Sequence, residues 1–76
     1  MLNIVVKTKS GNRYVFTYRE DGSLYFRDLM MSGRVIKLLK PIQEGENLSF
    51  DFLRDKDGEI RHATSTMVKE VVITQK

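Results

Sequence analysis

A chain of 76 residues with no cysteine, one histidine and a formal net charge of +3 has room for one domain, residues 1–76, and excludes a disulfide framework and a thiolate metal site. No run approaches the roughly 20 apolar residues needed to cross a bilayer, and the apolar start at Met1 to Val6 is too short, and lacks the basic leader, for a secretory signal. The expectation is a soluble cytoplasmic protein with no membrane, metal or cofactor dependence.

The first element is an extended run over Leu2 to Lys7, with Leu2, Ile4 and Val6 on one side and Asn3, Val5 and Lys7 on the other, because successive strand side chains point to opposite faces. Ser10-Gly11-Asn12 turns the chain. Arg13 to Tyr18 then sets Tyr14, Phe16 and Tyr18 against Arg13, Val15 and Thr17, and its β-branched and aromatic content suits a pleated surface. Asp21-Gly22 has the chemistry of a hairpin turn, and Leu24 to Arg27 forms the third strand.

Residues 28–40 read as a bend around Ser32-Gly33 followed by a strand over Arg34 to Leu39, with a short helix as the alternative. Gly33 and Pro41 argue against the helix, which they would hold below a stable length. The doublets Val35-Ile36 and Leu38-Leu39 require burial on both faces or a bulge. After the polar connection 41–47, a strand places Leu48, Phe50 and Phe52 on one side. Asp55-Lys56-Asp57-Gly58 turns it back into a strand over Ile60 to Thr64. Ala63-Thr64-Ser65-Thr66 is expected to tighten into a single 3₁₀ or helical turn, since Ser and Thr hydroxyls can accept from nearby amides. Met67 to Ile73 closes the chain as a last strand.

Gly11, Gly22, Gly33, Gly45 and Gly58 recur at nearly even intervals, close to the spacing of hairpin turns in small sandwiches and barrels. The expected fold is therefore all-β: a small antiparallel barrel or strongly curved sheet of five to seven strands. In size and turn rhythm it resembles the SH3-like and OB-like barrels. That likeness is one of architecture, and such scaffolds host unrelated functions.

Catalytic patterns are weak. Asp55-x-Asp57-Gly58 looks like a calcium loop until Gly58 is placed at the loop's glycine, which puts Leu53 and Thr64 at ligand positions. His62, Ser65 and Asp57 supply the atom types of a nucleophilic triad without a strained nucleophile turn or an oxyanion loop. No glycine-rich loop with a following lysine is present to hold a phosphate. The chain reads as a non-enzyme.

Charge is unevenly distributed: residues 1–40 hold eight Lys/Arg against three acids, and residues 41–76 hold five against seven. Below roughly 70–80 residues a lone core yields only about 3–5 kcal/mol, so support from a partner surface is expected. The leading reading is an interaction or assembly module, pairing with itself or another protein through an exposed strand edge and the apolar residues Val5, Leu29, Met30, Met31 and Leu53. The alternative is a nucleic-acid-binding barrel in which Arg13, Arg19, Arg27, Arg34, Lys37 and Lys40 meet phosphates and Tyr14, Tyr18 or Tyr25 stack on bases. The acidic residues Glu44, Glu46, Asp51, Asp55, Asp57 and Glu59 read as solvated turn and edge positions.

Overall fold

The computed structural model describes residues 1–75. Six strands, β1 (Leu2–Thr8), β2 (Arg13–Tyr18), β3 (Leu24–Arg27), β4 (Ser32–Leu38), β5 (Asn47–Arg54) and β6 (Ile60–Gln75), follow one another around a closed barrel. Every neighbouring pair is antiparallel. Closure depends on the length of β6. Its first half pairs with β5, from Leu53↔Ile60 to Asn47↔Met67, and its second half pairs with β1, from Thr8↔Val68 to Leu2↔Gln75.

The alternation read from the sequence becomes the inside and outside of the barrel. Ile4, Val6, Tyr14, Phe16, Leu24, Phe26, Leu48, Phe50, Phe52, Ala63 and Val68 are buried together. Four phenylalanines fill the centre, with Phe26 edge-on to Phe52 at 4.5 Å and to Phe50 at 4.9 Å, and Phe16 edge-on to Phe50 at 5.4 Å. Such edge-to-face packing adds about 0.5–1.5 kcal/mol per pair beyond area burial.

Three expectations need correction. Gly33 does not bend the chain; it lies inside β4 opposite Phe26 and Arg54, and an added Cβ would lie 2.1 Å from the Leu53 carbonyl oxygen. Glycine is required there by close strand approach, whereas the hairpin reversal is made by Asp28. Its Oδ1 accepts from the Met30 and Met31 amides at 2.8 and 2.6 Å, and its own amide donates to the Met31 carbonyl at 2.9 Å. Residues 63–66 form no helical turn, because their hydroxyls find donors across the sheet. Ser65 Oγ accepts from the Leu48 amide at 2.9 Å, and Thr66 Oγ1 accepts from the Ser10 amide at 3.2 Å. The two strands expected on either side of that turn are consequently one strand, β6.

Three bulges let these strands curve. Ile36 is the extra residue on β4 between the Val35↔Phe52 and Lys37↔Asp51 pairs. On β6, an extra residue lies opposite the Asn47–Ser49 stretch and another, Lys69, lies opposite the Lys7–Thr8 step. A bulge bends its strand and increases local twist, as a six-stranded closure requires. The Val35-Ile36 doublet thus marks a bulge, with Ile36 47% exposed.

Candidate nucleic-acid interface

The outer surface of β2, β3 and β4 is set by parity. Since Phe16, Phe26 and Gly33 point inward, Arg13, Val15 and Thr17 of β2, Tyr25 and Arg27 of β3, and Arg34 of β4 point outward. Register then fixes who stands beside whom. Tyr25 lies between Thr17 and Arg34, and Arg27 lies between Val15 and Ser32. Arg19, just past the end of β2, folds its guanidinium over the Tyr25 ring at 3.7 Å from the centroid. This cation–π contact is worth about 0.5–1 kcal/mol at an exposed site. It also holds the guanidinium on the sheet without neutralising it.

Among the described residues, Arg13, Arg19, Arg27 and Arg34 make no ion pair. An open depression of about 850 Å³ runs over this surface, with Val15, Thr17 and Tyr25 in its floor and Arg19 and Arg27 along it. Glu20, Asp21 and Asp55 also line it, but these acids belong to turns. Asp21 accepts from the Ser23 amide and hydroxyl at 2.9 and 2.6 Å, which holds its carboxyl below the usual carboxylate range. Asp55 accepts from the Ser32 hydroxyl at 2.8 Å. The strand faces themselves carry cations, one aromatic ring and small neutral side chains.

The sequence-derived candidates separate on this geometry. Arg19, Tyr25, Arg27 and Arg34 come together, and Arg13 extends the row on β2. Tyr14 does not belong to it, because its ring is 7% exposed in the core; burial, followed by the nearby Asp28 charge, pushes its hydroxyl pKa up. Tyr18 is on the inward parity of β2 and is 37% exposed only because it ends the strand. Lys37 lies farther along β4, opposite Asp51. Lys40 is beyond the strand, engaged by Glu46 at 3.6 Å and Asn47 Oδ1 at 2.9 Å. Val15 and Thr17 were not singled out from sequence, although they share the parity of Arg13.

The apolar candidates form no single patch. Val5 is half-buried on the outside of β1 between Val15 and Val72, and Met31 packs against the core. Leu53 is 38% exposed beside Ile60 and opposite Arg34. Leu29 and Met30, at 95% and 88%, are the tip of the β3–β4 hairpin.

The residues weighed for catalysis are dispersed. His62 Nδ1 pairs with Asp51 at 2.9 Å and not with Asp57. Asp57 is gripped by Arg54 and by the Glu59 amide, which bring its carboxyl down to about 2. Ser65 donates to the Thr66 carbonyl at 2.7 Å. No group of three or more His, Asp or Glu residues is placed to hold a metal among the described residues, and no helix there is long and apolar enough to cross a membrane.

No family model, curated protein or solved structure matches this chain.

Proposed function

We propose that this barrel is a non-enzymatic binding module that holds single-stranded nucleic acid on the outer face of β2–β4. The observation that carries the reading is the grouping of Arg19, Arg27 and Arg34 around outward-facing Tyr25 with none of the three ion-paired. Guanidinium groups supply phosphate contacts and sequence-tolerant planar surfaces for bases, and an aromatic ring adds about 1–3 kcal/mol per stacked base. The floor of Val15 and Thr17 keeps that surface low enough for a strand to lie across it. Fluorescence anisotropy with single-stranded and duplex oligonucleotides at low salt tests the reading. Salt-sensitive binding that prefers the single strand supports it; no binding at tens of micromolar protein ends it.

Assembly with another copy is a second reading, favoured by one observation. Leu29 and Met30 are the most exposed large apolar side chains, and Asp28 holds their backbone in a fixed turn. Light scattering after size-exclusion chromatography would then show a concentration-dependent dimer that Leu29→Ser abolishes, and a strictly monomeric species at high micromolar concentration rules it out.

A further inference from the structure

The barrel is closed in order but not along its whole height. β3 pairs with β4 only over Tyr25↔Arg34, Phe26↔Gly33 and Arg27↔Ser32, whereas β4 runs on to Leu38. Past Arg34, β4 is paired on its β5 side alone. Facing its other side is a depression of about 550 Å³, walled by Asp21–Leu24 of the β2–β3 turn and by Arg34–Leu38. The β3–β4 ladder ends at Tyr25↔Arg34, and none of the turn and loop backbone hydrogen bonds among the described residues crosses the depression beyond it. The amide of Leu39 donates to the Ser49 carbonyl of β5 at 2.8 Å. Backbone groups of successive strand residues point to opposite sides, so the N–H and C=O of Leu38 face the depression.

We infer that this segment of β4 is a docking edge for an extended acidic and apolar peptide of another protein, added as a short strand beside Val35–Leu38. Two features select that occupant. Inward-parity Val35 and Leu38 are only half-buried at the barrel mouth and pack on the core, so an added strand places apolar side chains over them. Arg34 and Lys37 lie on the outward parity with no ion pair among the described residues, so the alternate positions of that strand take carboxylates; opposite charges across a strand pair are favourable and like charges unfavourable. The same rule disfavours a second copy docked through this same β4 edge, which would bring Arg34 and Lys37 of both chains along one seam. The one acid on the depression, Asp21, is on the far wall and tied to Ser23. This inference shares Arg34 with the nucleic-acid reading but uses neither Tyr25 nor Arg19, and its test turns on Lys37 and Leu38.

Amide hydrogen exchange by NMR tests it with a probe peptide of about ten residues alternating Glu and Val, and a matched Lys and Val peptide as the counter-probe. The Glu peptide should slow exchange at Leu38 and shift the Arg34–Leu39 amides, leaving the Phe50 ring signals in place. Lys37→Glu should weaken the Glu peptide about fivefold to tenfold and strengthen the Lys peptide. Equal binding of the two peptides, binding that leaves Leu38 exchange unchanged, or peptide-free dimerisation that protects Leu38 would each overturn the assignment.

Discussion

The outer faces of β2–β4 and of the β5–β6 hairpin are built from the same extended backbone, yet they treat charge in opposite ways. On the β5–β6 side Arg54 is met by Asp57 and Glu59 and Arg61 by Glu59, and the His62 ring hydrogen-bonds Asp51. On the β2–β4 side Arg13, Arg27 and Arg34 project from strands that carry no acid, and Arg19 rests on a ring instead of a carboxylate. An exposed ion pair contributes little to stability, with a median of about 0–1 kcal/mol. The difference therefore concerns availability: one face has its charges internally offset, and the other leaves its arginines out of any ion pair among the described residues.

The two faces share a core, and the largest expected effects fall on both at once. Phe50→Ala removes the ring that touches Phe16, Phe26 and Phe52 and should cost about 3–5 kcal/mol, seen as collapse of the chemical-denaturation midpoint. Gly33→Ala acts where β4 meets β5. Its Cβ would press on the Leu53 carbonyl, so a loss near 3 kcal/mol, the upper end of the usual overpacking range of about 1–3, is expected by thermal melting. A neutral outcome would mean that the two faces can slide apart at this seam.

Smaller effects separate the faces. Replacing Arg19, Arg27 and Arg34 together by Ala should flatten the log–log salt dependence of single-strand binding by roughly 2, at about 0.7 per lost phosphate contact. Arg61→Ala on the other face should leave that slope unchanged. Should the two variants behave alike, the nucleic acid does not distinguish the faces. Tyr25→Ala should weaken binding by about 1–3 kcal/mol if a base stacks there.

The smallest effect belongs to Asp57. Its carboxyl is lowered from 3.8 to about 2, first by the Arg54 side chain and then by the Glu59 amide. A folded-state pKa below the unfolded value stabilises the fold above the unfolded pKa, and that contribution disappears as pH falls through the folded one. Acid loosening of the β5–β6 turn is thus expected between about 3.8 and about 2. A carboxyl NMR titration reads it directly, and Arg54→Ala should bring Asp57 back toward 3.8.

Much of this architecture is legible residue by residue. Period-two alternation in Leu2–Val6, Tyr14–Phe16 and Leu48–Phe52 names the inward side chains, and Gly11, Gly22, Gly45 and Gly58 mark turns by positive φ. The Val35-Ile36 doublet leaves burial on both faces or a bulge open, and the strand register decides for the bulge. Gly33 misleads because composition alone does not separate a glycine that turns a chain from one that lets two strands approach. The hydroxyls of Ser65 and Thr66 mislead for a related reason: local amides are visible in sequence, while Leu48 and Ser10 become partners only once the strands are aligned.

The candidate site divides along the same line. Strand parity follows from local sterics, so the chain itself determined that Tyr25 and Arg27 share a side and that Tyr14 and Phe16 share one. Which side is the interior, which strands neighbour one another, and hence that Arg34 and Arg19 converge on Tyr25 while Lys40 turns to Glu46, was decided by tertiary structure. Closure through the long β6 sets register between residues far apart in the chain, and no local preference encodes that choice.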